Sequence, residues 1–309
     1  MKRLVTSSYK TIQINHGNLT YAVDNNEVYI ISYSGHDTEI IIPELIEDCP
    51  VVCIAKKAFL SNKLVKEISL PKSIYEIGDW AFARCDRLKK VSIPFKNLNL
   101  GQSIFLDCIS LEQIIDARGS DSDKKTVDVS YLLAATMGIL DAFYLFDLEA
   151  AGTPEWFKQW DVRMKNKMEM DDSDGFSKML LCGEEDYGSN ETDPEYYKHL
   201  KRMAKVRVAM LRLMHDYSLD REVADNLLKY LLMHIKGNKH EETWKVVLDE
   251  HGDDKAYYEF LTEIGAVNEN NLQDMLSDLG DRHTEMKAFL MKYNDKLNEG
   301  KDAFSAFEL

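Results

Sequence analysis

A 23-residue period in the N-terminal part of the chain constrains its fold more than any other feature. The dipeptides Ala58-Phe59, Ala81-Phe82 and Ile104-Phe105 follow one another at this period. Further columns with the same spacing are Val65/Leu88/Leu111, Ile68/Val91/Ile114 and Ile54/Ile77/Leu100. Each repeat has too few apolar side chains to close a core by itself, so it is stable only when it stacks on a neighbour. The period therefore predicts a solenoid of stacked coils.

The strings between these columns predict short β-strands. Ile68-Ser-Leu70 and Val91-Ser-Ile93 alternate in polarity, and each precedes a proline that cannot donate to a continuing ladder. Stacked strands are about 4.8 Å apart, so three coils predict a body about 15 Å thick. Upstream, a strand, turn and strand pattern is formed by residues 21–23, the turn Asp24-Asn-Asn26, residues 28–33 and residues 39–43. We expect this β-hairpin to cap one end of the solenoid.

The coil sequence carries a specific resemblance. From Pro71 to Pro94 it reads P-x-x-I-x-x-I-G-x-x-A-F-x-x-C-x-x-L-x-x-V-x-I-P. This string resembles the repeat unit of the BspA-like class of bacterial leucine-rich repeat, and the resemblance covers about residues 15–116. It departs at Asn62, which replaces the usual cysteine, and after Pro94, where the apolar-glycine rhythm is lost until Gly101. The resemblance implies a curved solenoid that binds other macromolecules and often export to the cell surface.

The candidate binding residues are the strand positions that point away from the apolar columns. Side chains alternate across a strand, so the neighbours of each buried aliphatic residue share the outward side of the sheet. The predicted partner-binding residues are Glu67, Ser69, Lys90, Ser92, Gln113 and Ile115. We expect a non-enzymatic module that binds a protein partner through this surface of the repeats.

Composition changes after residue 118. Residues 1–118 hold 14 basic and 14 acidic residues, so the net charge of −15 comes from residues 119–309. Residues 118–125 (Arg-Gly-Ser-Asp-Ser-Asp-Lys-Lys) have linker composition. We therefore predict an α+β protein with two domains: a leucine-rich repeat solenoid at 1–118 and an acidic all-helical domain at 119–309.

The helical domain is predicted from a 3.6-residue period and from clear helix starts. Thr153-Pro154-Glu155 and Asp193-Pro194-Glu195 each read as an N-cap, a first-turn proline and an acid at the positive end of the helix. Predicted helices lie near 129–149, 154–170, 174–182, 194–215, 219–236, 241–250, 254–264, 269–279 and 283–298. Residues 241–297 contain a weak internal sequence repeat with a spacing of 28 or 29 residues, which makes them loosely similar to ankyrin-like helical repeats. A plain helical bundle would give the same weak repeat.

The sequence contains no complete catalytic or metal-binding motif among those that its residues suggest. With Gly175 at position 6 of a calcium loop, Met170 and Leu181 occupy positions 1 and 12, where oxygens are needed. His240-Glu241 begins a zinc-protease motif, but Trp244 stands where the second histidine belongs. The cysteines (Cys49, Cys53, Cys85, Cys108 and Cys182) are an odd number without a C-x-x-C pair, and we expect reduced, packed thiols. We predict no cofactor and no metal.

Charge and hydropathy limit the partners. A net charge of −15 argues against general binding to nucleic acid or anionic lipid. The apolar stretch from Tyr131 to Phe146 is too short to span a bilayer and predicts a buried helix. Residues 1–15 show no apolar core of a secretory signal, so we expect a reducing, cytoplasmic location.

Other functions stay open at this point. We expect the basic residues of 198–212 to form ion pairs with acids of their own domain, such as Glu184, Glu185 and Asp186. The alternative is that these basic residues bind a polyanion such as nucleic acid. A regulatory or enzymatic subunit with a site in a cleft between the domains is a second alternative. In a third, the helical part only caps the open end of the solenoid. The sequence leaves the partner's identity and the oligomeric state undetermined.

Overall fold

The computed structural model describes residues 8–119, 127–177 and 193–305. The chain forms two compact units, Met1–Arg163 and Met164–Leu309. The first contains a β-solenoid of about four turns, and helices follow it, which confirms the predicted α+β class. The domain junction at residue 118 stays a prediction. None of the helices in the described ranges is both long and apolar enough to cross a membrane.

Two sheets build the solenoid. The described strands are β1 (Lys10–Ile14), β2 (Gly17–Asp24), β3 (Glu27–Gly35), β4 (Glu39–Ile41), β5 (Leu45–Ile46), β6 (Cys49–Ile54), β7 (Glu67–Ser69), β8 (Glu76–Ile77), β9 (Lys90–Ile93), β10 (Asn99–Leu100) and β11 (Gln113–Asp116). One sheet has the order β1-β2-β3-β6-β8-β10, and β5 pairs with β6. The other, with the order β11-β9-β7-β4, is parallel throughout. Each coil contributes one strand to each sheet.

An aromatic stack runs through the interior of the coils. The ring centroids of Tyr33 and Phe59 are 5.8 Å apart, those of Phe59 and Phe82 5.3 Å, and those of Phe82 and Phe105 5.5 Å. Main-chain hydrogen bonds tie successive turns together, such as Phe82 N to Ile104 O at 3.0 Å. The repeat period is therefore a stack in which each coil completes the core of the next, as predicted.

The solenoid has one coil more than the three predicted. Its first coil contains β3, Tyr33 and β4, and Ile40 of β4 pairs with Ile68 of β7. These two residues are further apart in sequence than one repeat, because strand β5 and the turn that joins it to β6 are inserted between them. The insertion shifts the first coil out of the register of the repeats, which is why the period did not reveal it.

Each coil turns at a residue with left-handed backbone geometry. Lys57, Trp80 and Ser103 have φ angles of 63°, 54° and 52° and occupy the same position in successive repeats. Nearby, Gly78 allows adjacent coils to approach, since a Cβ there would lie 2.5 Å from the main-chain nitrogen of Lys56. The glycine column of the repeat is therefore a close-packing requirement and not a turn requirement.

The N-terminal hairpin is present and is larger than predicted. β2 and β3 pair antiparallel around Asn25 and Asn26, whose φ angles are 50° and 60°. The additional strand β1 extends it. Beneath it, the buried carboxylate of Asp37 accepts hydrogen bonds from Tyr33 Oη at 2.7 Å and from His16 N at 3.1 Å. The bond from Tyr33, together with those from His16, lowers the pKa of Asp37.

Helical residues cover the last coil. Helix α1 (Ser130–Ala135) packs against β11, and the ring of Phe146 meets Phe105 edge-on at 6.1 Å. The predicted helix at 129–149 is therefore wrong. The helix ends at Ala135, and of the remainder only residues 143–145 form a short 3-10 helix.

Side chains of the next helix explain why this apolar stretch is irregular. Helix α2 (Pro154–Glu169) presents two indoles one turn apart. Trp156 Nε1 donates to the carbonyl of Leu145 at 2.9 Å, and Trp160 Nε1 donates to that of Leu132 at 3.1 Å. Both carbonyls stand at the end of a short helix, where main-chain donors run out, so the indoles satisfy them and the stretch can leave the helical path.

The second unit is helical and close to the prediction. Its further helices are α3 (Pro194–Met214), α4 (Arg221–Met233), α5 (Glu242–Glu250), α6 (Lys255–Glu263), α7 (Leu272–Leu279) and α8 (Thr284–Ser305). The predicted cap is present, since the side chain of Asp193 accepts from Glu195 N. Helix α3 packs against α4 and α5, and α8 packs against α6 and α7. Most of the helix predicted at 174–182 lies outside the described residues.

Candidate functional site

The predicted binding residues lie together on the sheet β11-β9-β7-β4. Its buried column consists of Ile40, Ile68, Val91 and Ile114. The residues on either side of that column point outward. They form two columns in register, Glu67-Lys90-Gln113 and Ser69-Ser92-Ile115. We call this outward side of β4, β7, β9 and β11 the strand face.

Strand β4 adds two residues that the sequence analysis missed. Glu39 pairs with Glu67, and Ile41 pairs with Ser69. The side chain of Ile41 is 70% exposed. A signal was present, because Glu39-Ile-Ile-Ile-Pro43 matches Glu67-Ile-Ser-Leu-Pro71 position by position. A search restricted to one period could not align them, because the interval between them is longer than one repeat.

The charges of the strand face are not balanced. Lys90 Nζ lies 3.6 Å from Glu67 Oε2, so this pair is neutral overall. Glu39 has no ion pair within the part of the chain that the structure describes, and it stands beside Glu67 on the neighbouring strand. Like charges in directly opposed positions of a sheet repel each other. The β4 end of the strand face is therefore acidic and favours a cation.

Elsewhere on the solenoid, charges are paired between coils. Lys63 Nζ is 2.6 Å from Asp86 Oδ2, and Lys89 Nζ is 2.9 Å from Glu112 Oε1. In each pair the partners are one repeat apart, so the ion pairs follow the period of the coils. Exposed pairs of this kind stabilise weakly, at about 0–1 kcal/mol each. These pairs therefore link neighbouring coils.

The cysteines fill space and hydrogen-bond to the main chain. Cys85 Sγ donates to the carbonyl of Phe59 at 3.2 Å, and Cys108 Sγ donates to that of Phe82 at 3.0 Å. Burial raises the pKa of Cys53 to about 12, which keeps that thiol protonated. Cys182 lies outside the described residues. Among those described, no group of three or more His, Cys, Asp and Glu residues could hold a metal ion.

The basic residues of α3 are used within their own unit. Lys198 pairs with Glu195, Lys205 with Asp172 and Arg207 with Glu250, while Arg202 pairs with Glu242. Lys201 lies over the ring of Tyr197, and Arg212 donates to main-chain carbonyls. The pairing with acids of the same domain is as expected. Glu184, Glu185 and Asp186 lie outside the described residues.

One of these pairs is deeply buried. The carboxylate of Glu242, with its side chain 3% exposed, accepts from Arg202 Nε at 2.7 Å and lies 3.0 Å from His199 Nδ1. Burial by itself raises the pKa of Glu242, but the bonds from Arg202 and His199 outweigh it and lower the pKa. Asp172 and Lys205 extend the network at 2.8 Å. The network is charge-balanced and joins α3 to α5, which is a structural role.

A groove on α4 is a candidate for a reaction site. It has a volume of about 390 Å³ and is lined by Asp225, Leu228, Lys229, Leu232, Met233 and Asn238. One carboxylate and one ammonium group four residues apart on a helix form no nucleophile, base and orienter set. The groove therefore gives no support to an enzymatic site.

The fold and the strand face define a repeat protein of the β-solenoid class. Residues 9–120 match the family model described as BspA type leucine rich repeat region, in six copies. The match suggests a protein-interaction module, since repeats of this kind are generally non-enzymatic binding modules. No protein of curated function matches the chain.

Solved structures of bacterial leucine-rich repeat proteins match about a third of the chain. A leucine-rich repeat protein of T. pallidum is 30% identical, with 32% of this chain and 48% of that chain covered and a TM-score of 0.31. One from Bacteroides ovatus is 25% identical, with 33% of this chain and 28% of that chain covered and a TM-score of 0.30. The chain thus spans about half or less of these two proteins.

Proposed function

We propose that the protein is a non-enzymatic interaction module that binds a protein partner through the strand face. The observation that carries the proposal is the strand register. It places Glu67 beside Lys90 and Gln113 in one column and Ser69 beside Ser92 in the next. Neighbouring strands are about 4.8 Å apart, so four strands present a continuous surface about 15 Å wide.

The chemistry of the strand face suits a protein surface. The two serines are small and half-buried, and they form a floor between exposed Ile41 on one side and half-buried Ile115 on the other. Charged and amide groups line the adjacent column. An apolar contact flanked by polar groups is the usual composition of a protein interface.

The test is capture of a partner by matched variants of the full chain. Ser69→Arg combined with Ser92→Arg fills the floor of the strand face with two large cations. The control is Lys63→Ala, because Lys63 is exposed and lies in an ion pair away from the strand face. Lysate proteins retained by the unsubstituted chain are quantified on each variant by mass spectrometry.

The proposal predicts at least one protein that the control retains and the double variant loses by tenfold or more. Circular dichroism and thermal unfolding of the double variant establish that the solenoid is still folded. If the folded double variant and the control retain the same proteins in equal amounts, the strand face is not the binding surface.

A further inference from the structure

The two edges of the sheet that carries the strand face are treated differently. At one edge, α1 packs against β11. At the other edge stands β4, and no strand among the described residues pairs with its outer side. An uncovered edge strand presents main-chain donors and acceptors to any extended chain that approaches.

The hydrogen-bond pattern shows which groups of β4 point outward. The carbonyl of Thr38 accepts from Glu67 N at 3.1 Å, and Ile42 N donates to the carbonyl of Ser69 at 2.9 Å. Even-numbered residues therefore face β7 with their main-chain groups. Since these groups alternate in direction along a parallel strand, the N–H and C=O of Glu39 and Ile41 point to the open edge.

The side chains at this edge indicate which residues an added peptide segment would need. Glu39 and Ile41 both stand on the outward side, and Ile40 between them is buried. Glu39 lies beside the like charge of Glu67, and a cation next to it would relieve that repulsion. Ile41 is 70% exposed, and an aliphatic neighbour would cover it.

We propose that the partner adds an extended segment to the edge of β4, with a basic residue beside Glu39 and an aliphatic residue beside Ile41. A third, apolar side chain between them continues the buried column of Ile40 and Ile68. The mode is β-strand addition, in which main-chain hydrogen bonds supply affinity and alternate side chains supply specificity. This inference rests on the proposed function, because it assigns the partner of the same face.

A second copy of the chain is not the occupant that these observations favour. Two copies joined through β4 would add another Glu39 to an edge that already holds Glu39 and Glu67. One more carboxylate without an ion pair in the same short sheet increases the repulsion. A basic segment of a different protein removes it.

The test uses a labelled nonapeptide with Lys-Val-Val at its centre and Ser and Thr on both sides, with binding followed by fluorescence anisotropy. Glu39→Lys should weaken binding of this peptide at least tenfold and favour the analogue that has Glu-Val-Val at its centre. Ile41→Pro removes one outward N–H without touching the ladder to β7, and it should weaken binding at least fivefold. The control is Glu112→Lys, which changes the same charge on an exposed residue outside the strand face.

Main-chain pairing has its own signature. Two forms of the peptide carry N-methyl groups on alternate amides, so each form blocks one edge of the extended chain. Strand addition predicts that one form loses binding and the other keeps it. Equal binding of the two forms, or peptide binding that is unchanged by Glu39→Lys and Ile41→Pro, overturns the edge proposal.

The edge variants also separate this inference from the proposed function. If Ser69→Arg with Ser92→Arg releases the captured protein while Glu39→Lys and Ile41→Pro leave it bound, the strand face binds and the edge proposal fails. If none of these variants releases it, both fail. If all of them do, both are supported.

Discussion

The solenoid and the helical unit bury side chains in different ways. In the solenoid the main interior contacts recur one repeat later, as the stack of Phe59, Phe82 and Phe105 shows. In the helical unit the buried contacts occur once, such as Arg202 with Glu242, which are 40 residues apart. Contacts that recur are visible as a period in the sequence, whereas a unique pair leaves no such trace.

The difference extends to charge. The ion pairs Lys63–Asp86 and Lys89–Glu112 of the solenoid lie at its surface, with an apolar stack inside. The helical unit instead places Arg202 and Glu242 in its interior. The solenoid should therefore be sensitive to lost volume and the helical unit to lost charge balance. Variants in each unit can test that contrast.

Phe82→Ala should have the largest effect. The ring is fully buried between Phe59 and Phe105, and its removal should cost about 4 kcal/mol through lost burial and a cavity. The measurement is the free energy of unfolding in urea. The control Phe143→Ala, at a side chain 55% exposed, should change it by less than about 0.5 kcal/mol. Equal effects at both sites would contradict the stacked core.

Arg202→Met should destabilise the helical unit by about 3 kcal/mol, because it leaves the carboxylate of Glu242 buried without its main partner. The double variant Arg202→Met with Glu242→Met should recover most of this loss, since both charges are then gone. Arg207→Met is the control, as its pair with Glu250 is about one third exposed and should matter by less than about 1 kcal/mol. No recovery in the double variant would show that charge balance is not the cause.

Gly78→Ala should cost about 2 kcal/mol, because the added methyl group presses on the main chain of Lys56 in the preceding coil. At Gly138 a Cβ would meet no atom within 4 Å, so Gly138→Ala is the matched control and should be neutral. Thermal unfolding of both variants measures the difference. Equal midpoints would argue against close packing of the coils at Gly78.

The smallest effect should be a change in how the free energy of unfolding depends on acid pH, caused by Asp37 at the N-terminal hairpin. The pKa of Asp37 is lowered in the folded state, so its contribution to stability is complete above its ordinary pKa and is lost as pH falls through the lowered value. Tyr33→Phe removes the bond that contributes most to this shift. We expect a shallower loss of stability below about pH 4 in this variant. An unchanged acid limb in urea unfolding at several pH values would contradict this.

The sequence predicted the features that recur in each coil and did not predict the features that depend on an insertion. The period located Glu67, Ser69, Lys90, Ser92 and Gln113 on one side of a sheet, because strand alternation is regular once the buried column is known. Strand β4 was predicted as part of the N-terminal cap and not as a strand of the solenoid, since β5 and the turn that follows it displace β4 from the period. Whether the strand face binds a partner stays a prediction, because the residues of an exposed surface do not identify the molecule that binds there.

The apolar stretch after the linker shows a second limit. Residues 131–146 predicted one helix from hydropathy, but α1 ends at Ala135. The decisive contacts come from Trp156 and Trp160, whose indoles supply donors to carbonyls that a helix would otherwise satisfy. Hydropathy reports burial and contains no information about such distant donors.

Site-specific photo-cross-linking in the full chain can show whether the strand face contacts a protein. A photoreactive side chain at Ser92 lies at the centre of the strand face, and one at the exposed Lys72 lies on the solenoid outside it. The account predicts a covalent adduct with one protein from position 92 and none from position 72. An adduct from position 72 with none from position 92 would contradict it.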